Sequence, residues 1–154
     1  MLALTAGDFD FKNNMLTINK SYQRLHGKDV ITTPKTEKSN RTIKMPQFLC
    51  DEMQEYLKMF YSPSNSDRIF PISKSYLHHE MDRGSKAAGV KRIRIHDLRH
   101  SHVSLLINQG YQAAAIADRV GHETVEITDR YTHIYPSKQN EMANTLDELW
   151  KEKK

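Results

Sequence analysis

The sequence predicts an α+β domain, mainly α, in which a small three-stranded antiparallel sheet precedes a bundle of helices. Three observations predict it. Short β-prone runs are confined to the first 45 residues, apolar residues recur at helical spacing from Pro46 onward, and Pro63, Gly89, Gly110 and Gly121 stand where four of the helical runs stop. With 154 residues and 38% hydrophobic content, the chain is sized for one compact core rather than two.

Met1 to Thr5 is apolar and starts without a polar lead-in, as though inside an element whose first half is absent. Residues 15–22 alternate apolar Leu16 and Ile18 with polar neighbours, and residues 30–33 and 41–45 supply two more strands. His26-Gly27-Lys28-Asp29 turns the first connection. The polar stretch 34–40 forms an exposed loop that, with Arg41, carries the cations Lys35 and Lys38.

Pro46 suits a first helical turn, and Phe48, Leu49, Met53, Tyr56, Leu57 and Phe60 then predict a core-facing helix up to Tyr61. Residues 62–66 break it. A second helix over 73–88, with Tyr76, Leu77 and Met81 facing inward, is closed by Gly89. Residues 91–95 alternate basic and β-branched residues and should run extended. Asp97 is the expected N-cap of a helix over 98–109, with Leu98, Leu105 and Leu106 on its packing side and Gly110 as its stop. A helix over 112–120 follows, packing through Ala113, Ile116, Ala117 and Val120 and ending at Gly121. A short one over 124–131 comes next. The last is a tail helix within 137–154, with Met142, Leu146, Leu149 and Trp150 at helical spacing. No internal repeat, low-complexity block or linker divides the chain.

Lys+Arg of 23 against Asp+Glu of 19 gives a net charge of +4, which suits a polyanionic partner and equally an ordinary basic protein. The single cysteine, Cys50, excludes an intramolecular disulfide and a Cys-rich zinc framework. No apolar run reaches the roughly 20 residues needed to span a bilayer, and no signal-like segment opens the chain, so a cytoplasmic location is expected.

His96-Asp97-Leu98-Arg99-His100, Gly121-His122 and Tyr131 are the residues that carry chemistry. A tyrosine hydroxyl titrates near about 10, so a covalent role for Tyr131 needs cations beside it. Arg99, His96 and His122 could supply them: Arg presents a fork to two phosphate oxygens, and His donates a hydrogen bond while exchanging protons near neutrality. Arg99 falls in the first turn of its helix, where backbone N–H groups favour an anion. His122 and Tyr131, nine residues apart, can converge only because Gly121 lets the chain bend. Each residue also has an ordinary reading. Tyr131 alone would be a core aromatic, His100 and His133 hydrogen-bonded structural groups, and His78-His79 a surface feature. A metal site at His96, His100 and His102 lacks an acidic or Cys ligand at recognisable spacing.

His96-x-x-Arg99-His100, Gly121-His122 and Tyr131-Thr132-His133 resemble the signature of the phage integrase (tyrosine recombinase) family. The likeness extends to the stretch Pro34 to Ile43 and to Leu2-Ala3-Leu4-Thr5-x-x-Asp8-Phe9-Asp10. The resemblance implies a recombinase catalytic-domain fold, with Tyr131 attacking a scissile DNA phosphate to leave a 3′-phosphotyrosyl link and a free 5′-hydroxyl. It implies that Arg99 and His122 bind the phosphate, that His96 assists proton handling and that Lys35 protonates the leaving oxygen. No cofactor or metal is needed. The partners implied are double-stranded DNA and neighbouring recombinase protomers, a tetramer on DNA for a full-length protein. Lys38, Arg41, Arg92 and Arg94 are the further cations expected to meet DNA phosphates. The family carries another catalytic Arg shortly before the Leu-x-Leu-Thr segment, where this chain has only Met1. The expectation is therefore a single, truncated catalytic domain over 1–154 that is impaired in cleavage. The rival reading is a non-catalytic helix-turn-helix DNA reader built from the helices either side of Gly110-Tyr111; it leaves the company of His96, Arg99, His122 and Tyr131 unexplained. A hydrolytic phosphodiesterase lacks an evident carboxylate to activate water.

Overall fold

The computed structural model describes residues 1–61, 64–129 and 139–151. They form β1 (Phe9–Asp10), β2 (Met15–Ile18), β3 (Ser21–Leu25), β4 (Lys28–Thr32) and β5 (Arg41–Lys44), then α1 (Gln47–Lys58), α2 (Lys74–Ala88), α3 (Asp97–Asn108), α4 (Ala113–Val120), α5 (Glu126–Asp129) and α6 (Gln139–Lys151). Single 3₁₀ turns occupy Ala6–Asp8 and Glu37–Ser39.

A three-stranded antiparallel sheet is present, in the order β1-β2-β5, but its membership differs from the expected one. The 15–22 run is two strands, not one. At Asn19-Lys20 the chain leaves the sheet, and Lys20 reaches back to the buried carboxylate of Asp8 (2.8 Å) and the Thr5 hydroxyl (2.9 Å). Beyond that break β3 pairs with β4 as a separate hairpin, Tyr22 opposite Ile31. Its two-residue turn has positive φ at both His26 (49°) and Gly27 (78°), the backbone that matches the twist of paired strands. The third strand of the sheet is instead Phe9–Asp10, returned to Met15 by a turn in which Asp10 accepts from the Asn13 backbone N–H (3.1 Å) and side-chain amide (2.7 Å).

Three apolar clusters hold these elements. Leu16, Met45 and Cys50 join the sheet to α1; Leu2, Ala3 and Tyr22 join the N-terminal segment and the hairpin to Phe70, Ile72 and Leu77; Val103, Ile116 and Val120 join α3 to α4. Full burial of a side chain such as Ile116 or Val103 stabilises by roughly 1.5–3 kcal/mol.

Arg68 lies against the second of these clusters. Its Nε donates to the Leu2 carbonyl (2.8 Å), one terminal nitrogen to those of Phe70 (3.0 Å) and Ile72 (3.1 Å), and the other to Asp29 (2.5 Å). The guanidinium carbon lies 3.9 Å over the Tyr22 ring, and the Tyr22 hydroxyl donates to the same Asp29 carboxylate (2.8 Å).

The helices start and stop close to where caps predict. Ser73 Oγ accepts from the Tyr76 N–H (3.2 Å), and Gly89 and Gly121 end α2 and α4 in the left-handed conformation. Four apolar positions do not face inward as expected: Phe48, Tyr76, Leu98 and Leu105 are all exposed. In α3 the inward side is carried by Val103, Leu106 and Ile107, which meet α4. Asp97 is not the N-cap either. His96 holds that position, and the Asp97 carboxylate turns upstream to accept from the Arg94 backbone N–H (2.9 Å) and guanidinium. Residues 91–95 run without strand pairing. In α6, Met142 and Leu146 are exposed, while the side chains of Leu149 and Trp150 are outside the described set.

Candidate functional site

Three local structures bring charged side chains together. The first is the N-terminal turn of α3, where the Arg99 N–H donates to the His96 carbonyl (3.0 Å) and one helical turn sets the rings of His96 and His100 edge to face, 4.9 Å apart. The second is the end of α4. Gly121 (φ 69°) reverses the chain so that the His122 N–H returns to the Ala117 carbonyl (2.9 Å), which delivers the His122 ring beside α3. The third is the 3₁₀ turn before β5. Arg41, which opens β5 just after that turn, donates from Nε to the Arg119 carbonyl (2.9 Å) and from a terminal nitrogen to that of Ser39 (3.1 Å).

Their convergence has an electrostatic consequence. The His122 pKa is held below its ordinary value by burial first, then by the positive charge of Arg99, His100, Arg41 and His96 in turn. Burial likewise lowers Arg41, with Arg99 adding to it and Asp118 opposing. Like charges gathered at this density favour an anion among them.

Gly121 is required twice over. A side chain would strain its left-handed backbone, and a Cβ there would sit 2.8 Å from the Lys38 carbonyl and 2.9 Å from the Arg41 guanidinium. Lys38 in turn donates from Nζ to the Glu123 carbonyl (2.7 Å). A groove of about 400 Å³ opens here, lined by Lys38, Arg41, Asp118, Gly121, His122 and Thr124.

Of the residues expected from sequence, Arg99, His96 and His122 are thus brought together, and Arg41 and Lys38 join them. Lys35 lines a different groove, with β3, Arg24 and the start of α2. Arg92 is paired with Asp82 (2.6 Å), and Arg94 with Asp97 (2.9 Å). Tyr131 and His133 lie outside the described residues. His100, which the sequence left open between a functional and a structural role, shares the helix face of His96. One member of the site was not singled out from sequence. Thr128, fully buried with its hydroxyl 2.8 Å from His122 Nδ1, carried no pattern of its own.

The chain matches the phage integrase family over residues 1–138. The chain belongs to that family. It is 38% identical to the ICEBs1 integrase of Bacillus subtilis (strain 168), over 97% of this chain and 44% of that protein. It is 30% identical to the integrase of Staphylococcus phage L54a, over 97% and 47%. It therefore spans less than half the length of these relatives. Among solved structures it is similar to the Tn1549 transposon integrase in complex with circular intermediate DNA (TM-score 0.71, 18% identity, 96% of this chain and 53% of that one). It is also similar to the XerA recombinase (TM-score 0.66, 21% identity, 93% and 48%). At these identities the structures speak to the fold. It is the tyrosine recombinase catalytic fold, an α+β architecture dominated by helices, as the residues led one to expect.

Proposed function

We propose that this integrase-family chain cleaves and rejoins DNA strands at specific sites, with Tyr131 attacking a scissile phosphate. The attack forms a 3′-phosphotyrosyl bond and releases the 5′-hydroxyl; reversal by another 5′-hydroxyl completes strand exchange, so the phosphodiester energy is conserved. Arg99 and His122 bind the non-bridging oxygens, where charge builds up in the transition state. His96 assists proton handling, and Lys35 gives the leaving 5′-oxygen its proton. Lys38, Arg41, Arg92 and Arg94 meet flanking phosphates. On DNA the protein acts beside neighbouring protomers, as a tetramer.

The observation that carries the reading is that the first turn of α3, with Arg99 and the paired rings of His96 and His100, and Arg41 packed against Gly121 converge on His122. A helix-turn-helix reader has no need of it, because sequence readout uses side chains in a groove and not a cationic pocket.

A nicked duplex that traps the covalent intermediate provides the test. It is incubated with the 154-residue chain, with the chain joined to any residues encoded upstream of Met1, and with the Tyr131→Phe variants of each. A denaturant-resistant protein–DNA band that requires Tyr131 is the expected result. A band that persists in the Phe variant assigns the nucleophile to another residue, with Tyr135 next in line, and no band from any form leaves only DNA binding.

A further inference from the structure

The buried Thr128 has no part in the chemistry just described, yet its hydroxyl lies 2.8 Å from the ring of the one histidine around which the site is gathered. We propose that Thr128 is a positioning residue that fixes His122 as the tautomer protonated on Nε2, so that this nitrogen donates to a non-bridging phosphate oxygen. The inference rests on the phosphate-handling reading above.

A neutral imidazole carries one proton, and the partner of one nitrogen decides which nitrogen keeps it. Thr128 is fully buried, so its hydroxyl proton goes to a protein acceptor rather than to solvent. Among the described residues the acceptor in reach is His122 Nδ1. With the hydroxyl donating, Nδ1 is bare and Nε2 bears the proton. The opposite arrangement would leave Nε2 a bare acceptor, which repels a phosphate oxygen.

The surroundings keep the ring neutral so that this choice matters. Burial, Arg99, His96 and His100 on α3 and Arg41 on β5 all oppose a second proton. The other charged groups on the groove walls are Lys38, Glu37 and Asp118. The hydroxyl is fixed by backbone as well, since the Thr128 N–H donates to the Val125 carbonyl (2.8 Å) in the tight turn that opens α5. The hydrogen bond thus joins α5, two residues short of Tyr131, to the end of α4.

The test is nitrogen NMR of the 154-residue chain labelled with ¹⁵N-histidine above neutral pH, with the His122 ring assigned by its loss in His122→Gln. Expected for the natural protein are a pyrrole-type Nε2 and a pyridine-type Nδ1 displaced upfield by an accepted hydrogen bond. In Thr128→Val the Nδ1 signal moves downfield to the unbonded position, and Thr128→Ser restores it. A pyrrole-type Nδ1 in the natural protein overturns the proposal, and so does an Nδ1 signal unmoved by Thr128→Val. If circular dichroism shows that the Val variant does not fold, the Ser variant decides: a retained bonded signal supports the assignment, and an unbonded one overturns it. The nitrogen signature does not depend on cleavage. Its presence without any Tyr131-dependent adduct would sink the recombinase reading and leave the tautomer standing.

Discussion

Arg68 and His122 sit in opposite surroundings. Arg68 is enclosed by acceptors, with three carbonyls, the Asp29 carboxylate and the Tyr22 ring face all turned toward it. Around His122 the neighbours are basic groups: Arg99, His100, Arg41 and His96 each push its pKa down. A guanidinium whose donors are matched one by one is a fastener. A set of positive groups held together against their mutual repulsion is a receptor for something negative, and the fold sustains it through carbonyls that grip Arg41 and a glycine that lets the chain close up.

The contrast breaks most visibly at Arg68. Arg68→Ala removes the tie between the N-terminal segment, the β3-β4 hairpin and residues 70–72, and leaves the Leu2, Phe70 and Ile72 carbonyls without their donors. We expect a loss of about 3 kcal/mol, read as a lower urea midpoint. Arg68→Lys should recover only part of it, because an ammonium cannot serve the planar fork. A midpoint within about 0.5 kcal/mol of the natural protein would show that Arg68 is an ordinary surface cation.

A smaller effect separates the two regions by pH. His122 and His102 are both held below the ordinary value of 6.5, His102 by burial and then Arg119. Below 6.5 the unfolded chain therefore takes up protons that the folded one still refuses. The stability they contribute is fully present above the unfolded value and falls as pH drops through 6.5 toward the folded values. Urea midpoints measured between about pH 7.5 and 5 should fall with acidification, and His122→Gln should flatten that slope. Arg68→Ala should lower the whole curve without changing its slope. An unchanged slope in His122→Gln would remove His122 from the set of groups kept neutral.

What the sequence disclosed, and what it did not, follows the same division. Local signals read well. Ser73, Gly89 and Gly121 bound helices by their own chemistry, and His26-Gly27 turns a hairpin for the same reason. The pattern of residues 15–22 concealed a strand break because Leu16, Ile18 and Tyr22 keep one parity across the polar pair Asn19-Lys20, and only the distant Asp8 carboxylate reveals why the chain departs there. Phe48, Leu98 and Leu105 satisfy helical spacing but are exposed, something periodicity within one helix cannot register. Of the candidate site, His96, Arg99 and His122 were legible as residue types that suit phosphate. Thr128 was not, since it acts through burial, and neither was Arg68, outside the site, whose partners Leu2 and Asp29 are remote in the chain. Tyr131, expected from sequence, lies outside the described residues.

The smallest expected effect concerns the cations that sequence reading grouped together. Each phosphate neutralised adds about 0.9 to the slope of log affinity against log salt, so substitutions can be counted one by one on duplex DNA. Arg99→Ala should lower the slope by about one contact. Arg94 is held by its i, i+3 carboxylate partner Asp97, and Arg92 by Asp82, so each must give up an ion pair to reach a phosphate. Surface pairs of this kind contribute roughly 0–1 kcal/mol, enough to weaken such a contact without forbidding it. Arg92→Ala and Arg94→Ala should therefore each lower the slope by less than about half a contact. Asp97→Asn sharpens the comparison, because it releases Arg94 while leaving every cation in place, and the slope should then rise. Equal losses from Arg92→Ala, Arg94→Ala and Arg99→Ala would mean that the ion pairs count for nothing and that the chain offers DNA an undifferentiated basic surface.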